Sequence, residues 1–61
     1  MNEIELVAYV DRLAKDFGSL PYVEAISSDL TEREAEIMTA ELKRRGTKIT
    51  VRLPRMTKEN P

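Results

Sequence analysis

The 61-residue chain has no cysteine, no histidine and no tryptophan, and only two glycines. Without cysteine there are no disulfides. With histidine absent too, the usual zinc ligands, the thiol nucleophile and the commonest general base are all missing. Gly18 and Gly46 stand too far apart to form a phosphate-cradling loop. No apolar run approaches the roughly 18 residues of a membrane span. The opening MNEIELVAYVDR lacks the basic start and apolar block of a signal peptide, so a cytoplasmic location and no membrane partner are expected.

Catalysis therefore has little to draw on, and a non-enzymatic protein without cofactor or metal is expected. Asp29, Glu32 and Glu36 could in principle serve acid–base or divalent-metal chemistry. They surround a helix N-terminus, however, where capping and the helix dipole favour acids for structural reasons. Ser27 and Ser28 precede the same helix with no glycine-flanked elbow and no partner base, which reads as a turn.

What is present belongs to a folded domain, with 34% charged and 41% hydrophobic residues. The net charge of −1 conceals a polarity. Nine acids face three bases from Met1 to Glu36, whereas seven bases face two acids from Ile37 to Pro61. Such asymmetry can mark an interaction surface, or acidic and basic patches that meet between copies. A chain this short buries only about 60% of its unfolded surface. Self-association is the common reinforcement left to it, and a homodimer is expected.

From Glu3 to Phe17 the spacing predicts an amphipathic helix, with Leu6, Val7, Val10, Leu13, Ala14 and Phe17 on one stripe. Asn2 and Glu5 form a capping-box pair, Asp11 with Lys15 and Arg12 with Asp16 stand four apart, and Gly18 stops the helix. Ile4 and Tyr9 flank the stripe. Next, Tyr22 to Ile26 reads as a short strand with Pro21 at its start. Thr31 and Glu34 cap a second helix, which carries Lys43, Arg44 and Arg45 in its last turn and ends at Gly46 in a left-handed conformation. Ala35, Met38 and Leu42 give that helix a narrow stripe. Ile37 points about 100° away from it, which implies a second contact. TKITVRL, Thr47 to Leu53, is the clearest strand and is stopped by Pro54.

The order is helix, strand, helix, strand, an α+β domain over residues 1–55 followed by a polar, frayed tail at 56–61. A single strand–helix–strand crossover makes the two strands parallel, with a right-handed connection. Two strands are too few for an independent sheet. The expected architecture is two amphipathic helices packed on a small sheet that dimerisation completes, with the TKITVRL edge at the seam.

Two short stretches resemble known DNA-binding families. LTEREAEIM is similar over nine residues to the first helix of some bacterial helix-turn-helix regulators, but Gly46 leads on to a strand where that family has a recognition helix. TKITVRLP resembles, over eight residues, the strand of ribbon-helix-helix repressors, in which two strands of a dimer pair antiparallel in the major groove. That resemblance implies Lys48, Thr50 and Arg52 facing the bases, above Ile49, Val51 and Leu53. In that family the strand precedes both helices, whereas here it follows them.

The primary expectation is a small regulatory or interaction module that acts on an unidentified protein partner, and on itself, through protein–protein contacts. The alternative is a nucleic-acid-binding dimer. Candidate contacts with nucleic acid or a partner are Arg44, Arg45, Lys48, Thr50, Arg52 and Arg55. Candidate dimer or partner interface residues are Ile4, Tyr9, Ile37, Ile49, Val51 and Leu53.

Overall fold

A computed structural model describes residues 2–54. The chain forms α1 (Glu3–Phe17), β1 (Val23–Ile26), α2 (Glu32–Arg44) and β2 (Ile49–Arg52), the α+β order expected from the sequence. The expected tail at 56–61, and Arg55 among the candidate contacts, lie outside the described residues.

Both helices begin in capping boxes. The Asn2 side chain accepts from the Glu5 N–H at 2.8 Å, and the Glu5 carboxylate accepts from the Asn2 N–H at 3.2 Å. Thr31 and Glu34 repeat the arrangement at 3.1 and 2.9 Å. Each box satisfies donors that a helix start would otherwise leave unpaired.

The two helix ends differ. At α2, the Thr47 N–H reaches the Leu42 carbonyl at 3.1 Å and the Gly46 N–H reaches that of Lys43 at 2.9 Å. This is the Schellman pattern, and Gly46 supplies its left-handed residue at φ 88°. At α1, Gly18 keeps a right-handed φ of −64°. Glycine is required there by proximity, because a Cβ would collide with the Ala14 carbonyl oxygen.

β1 and β2 pair in parallel, Val23 with Ile49 through Ile26 with Arg52, and α2 is the crossover between them. The expected strand at 47–53 is trimmed to four residues because β1 offers only four partners. Pro21 lies two residues ahead of β1. The alternating pattern sends Ile49 and Val51 into the core, beside half-buried Val23 and Ala25. Val10 and Leu13 of α1, Leu30, and Ala35, Met38 and Leu42 of α2 complete it. The opposite sheet face carries Tyr22, Glu24, Ile26, Thr50 and Arg52.

The outer edge of β2 is closed by side chains. The Thr39 hydroxyl accepts from the Val51 N–H at 2.8 Å and donates to the Val51 carbonyl at 3.2 Å. The Thr47 hydroxyl accepts from the Ile49 N–H at 3.3 Å and donates to the Leu42 carbonyl at 2.9 Å. Two threonines thus stand where a neighbouring strand would bond.

Candidate functional site

The two helices run in the same direction. Arg45 at the end of α2 bonds Asp11 at 2.6 Å, and Ile37, two turns earlier, shares a groove with Glu3, two turns before Asp11. Leu6 and Val10 floor that groove and Val7 and Ile37 wall it, with Glu41 and Arg45 at its far end; its volume is about 390 Å³. Val7 is 46% exposed and Ile37 44%. Ile4, 80% exposed, stands on the ridge one turn from Val7. Three large aliphatic side chains thus lie open on adjoining ridges.

Parallel helices also bring their two capped starts together at one end and their two closing turns together at the other. Glu3 and Glu5 begin α1 and Glu32 and Glu34 begin α2, while Lys15 closes α1 and Lys43 and Arg44 close α2. The helix dipoles favour acids at both helix starts, while at the other end of the groove the bases stand among acids, Arg44 paired with Glu41 and Arg45 with Asp11 and Glu41.

The expected basic reading face is arranged differently. Lys48, Thr50 and Arg52 do lie on the uncovered side of the sheet. Yet Arg52 bonds the Glu24 carboxylate at 2.7 Å, and Tyr22 donates to the same oxygen at 2.9 Å. That hydrogen bond to Glu24 is the main reason the Tyr22 phenol sits above its ordinary pKa. Arg44 grips Glu41 with contacts of 3.1, 3.0 and 2.7 Å, and Arg45 bridges Asp11 and Glu41. A phosphate arriving at Arg44, Arg45 or Arg52 would therefore meet a carboxylate beside each guanidinium. Asp11 takes Arg45 from beyond α2 rather than a cation of its own helix.

Of the expected interface residues, Ile49 and Val51 are buried under the helices of their own chain and offer no side-chain surface. Tyr9 and Leu53 are half-buried against the same core. Ile4 and Ile37 remain open. Sequence reasoning assigns Val7 to the core stripe and so misses it as a groove wall. The signal lies in its position, because at 100° per residue Val7 stands about 60° from Val10 and about 120° from Leu13, at the margin of the stripe.

Comparison with protein-family models, curated proteins and solved structures finds no match. No helix among the described residues is long and apolar enough to cross a membrane. Among those residues, no three acidic side chains gather as a metal site would require. Asp29 instead joins a turn, its N–H donating to the Ser27 hydroxyl at 3.2 Å.

The ion pairs carry a pH dependence of known sign. Hydrogen bonds from Arg44, then Arg45, hold the Glu41 carboxyl below its ordinary 4.5, and the Thr31 N–H lowers Glu34 in the same way. A group with a depressed folded pKa adds stability that is fully present above its unfolded pKa and lost as pH falls through the folded one. Melting temperatures should accordingly hold level above about pH 4.5 and fall below it. The acid limb should be shallower in Glu41→Gln, and an identical limb in that variant would exclude the assignment.

Proposed function

We propose that this protein is a non-enzymatic interaction module that works by protein–protein contact in the cytoplasm, as a homodimer, with the groove between α1 and α2 as its contact surface. The observation that carries this reading is the open apolar set Ile4, Val7 and Ile37 around a groove floored by Leu6 and Val10. Exposed aliphatic anchors with charges at the rim are the make-up of a protein interface. The side-chain inventory supports the non-enzymatic part, since neither histidine nor cysteine occurs.

A second reading, nucleic-acid binding, draws on one observation, that Lys48, Thr50 and Arg52 share the uncovered sheet face. The pairing of Arg52 with Glu24 weighs against it. Fluorescence anisotropy with a mixed-sequence DNA duplex at low salt separates the two readings. No binding is expected up to roughly 100 μM protein, the weak end of non-specific DNA affinity. Tight, salt-sensitive binding that the double variant Lys48→Ala, Arg52→Ala abolishes would replace the first reading with the second.

A further inference from the structure

We propose that a second copy of this chain pairs with the outer edge of β1, antiparallel about a twofold axis normal to the sheet, to give a four-stranded sheet in the order β2–β1–β1–β2. The pairing rests on the reading of the protein as a homodimer and takes a surface apart from the α1–α2 groove, which stays open.

The two edges of the sheet are unlike. At the outer edge of β2 the Thr47 and Thr39 hydroxyls hold the Ile49 and Val51 N–H groups. At β1 the Val23 and Ser27 N–H groups turn inward to the Lys48 and Arg52 carbonyls. By alternation the Ile26 N–H points outward, where no strand lies beside β1 among the described residues. Such an edge is a template for another strand, and two strands alone make a marginal sheet. Tyr22, just before β1, and Ile26, at its end, are large and exposed on the uncovered face. Reversing the strand onto a copy of itself sets Tyr22 of one against Ile26 of the other. Glu24 then meets its own copy on the axis, each carboxylate held by Arg52 at 2.7 Å.

The helical layer selects a second copy over an unrelated strand. Thr39 ties α2 to the outer edge of β2, so α1 lies on the β1 side of α2 and its far flank faces the same way as the β1 edge. That flank is a groove in which Tyr9, Leu13 and Phe17 lie among Glu5, Arg12 and Asp16. Unlike Arg44, Arg45 and Arg52, Arg12 has no carboxylate partner among the described residues, and Asp16 has no cation. The end of α1 stands level with the start of β1, because a Cβ on Gly18 would lie 3.5 Å from the Thr47 methyl and the Val23 N–H reaches the next residue, Lys48. A twofold through β1 therefore passes beside the last turns of α1. It sets Arg12 of each copy against Asp16 of the other, twice over by symmetry.

Sedimentation velocity and amide hydrogen exchange, on the full chain over a wide concentration range, test the pairing. A monomer–dimer equilibrium is expected, with the Ile26 amide exchanging more slowly as concentration rises. Ile26→Pro removes that N–H where an edge strand tolerates proline. It should weaken pairing by about tenfold or more, since the twofold counts the lost bond twice. Circular dichroism checks that this variant stays folded. Arg12→Glu and Asp16→Arg should each weaken pairing by about tenfold, and mixing them should restore it as a heterodimer. A mixture no stronger than its parts would overturn the twofold arrangement. Ile37→Asp, in the α1–α2 groove, should leave the dimer intact. A dimer lost in Ile37→Asp but kept in Ile26→Pro would overturn pairing at β1 and uphold the groove as the homodimer contact. A chain that stays monomeric to millimolar concentration would overturn self-pairing at either surface, without touching the groove as a surface for another protein.

Discussion

Leu42→Ala is expected to lower the urea midpoint of unfolding steeply. Leu42 is fully enclosed, at 0% exposure, and truncation of such a residue costs about 2–5 kcal/mol in lost burial and cavity formation. At about 0.05–0.15 kcal/mol per residue, a 61-residue chain has roughly 3–9 kcal/mol in all. One substitution therefore removes from about a fifth of the stability to all of it. The position is also coupled to the chain reversal after α2, because the Leu42 carbonyl takes both the Thr47 N–H and the Thr47 hydroxyl. Loss of side-chain packing loosens the turn that delivers β2 to the sheet. Urea titration followed by circular dichroism measures the effect, with Leu42→Met as a volume-conserving control expected to cost less than about 1.5 kcal/mol. A transition midpoint equal to the parent's in Leu42→Ala would contradict the core as described.

That core is largely legible in the sequence. Helix signals act within one or two turns, so Asn2 with Glu5, Thr31 with Glu34, and Gly46 can be read directly, and both helices start where those residues place them. Ala35, Met38 and Leu42 are readable from spacing alone and are all buried. The alternation of Ile49, Val51 and Leu53 with Lys48, Thr50 and Arg52 assigns the two sides of β2 correctly. It does not say what lies against either side.

The candidate site is less legible because its determinants are far apart in the chain. Arg52 and Glu24 are 28 residues apart and Arg45 and Asp11 are 34 apart. Nothing in the local pattern of either arginine distinguishes a cation paired within its own chain from one offered to a phosphate. The groove depends in turn on the direction in which α2 lies against α1. Two stripes read separately predict that the helices pack, but not that their acidic ends coincide. Ile37 signals a second contact by diverging from Met38, and the side it faces emerges only once α1 is in place.

The closing of the β2 edge is equally hidden, and it leads to the second large effect. Thr39→Val keeps the shape of the side chain and removes only the hydroxyl, so the half-buried N–H and carbonyl of Val51 both lose their partner. Leaving such groups unsatisfied costs about 1–3 kcal/mol. Two outcomes follow from the same loss. Stability to urea should drop by that amount, and the Val51 amide should exchange with solvent faster relative to the amides of β2 that face β1. The exposed edge also becomes a template for strand addition, so the variant should associate or aggregate more readily at high concentration. Thr39→Ser, which keeps the hydroxyl, should restore slow exchange at Val51 even if the lost methyl costs some stability. Equal Val51 exchange in Thr39→Val and the parent would show that the threonine does not guard the edge. A difference confined to Thr39→Val would place this one hydroxyl between a two-stranded sheet that stops at β2 and one that continues into a neighbour.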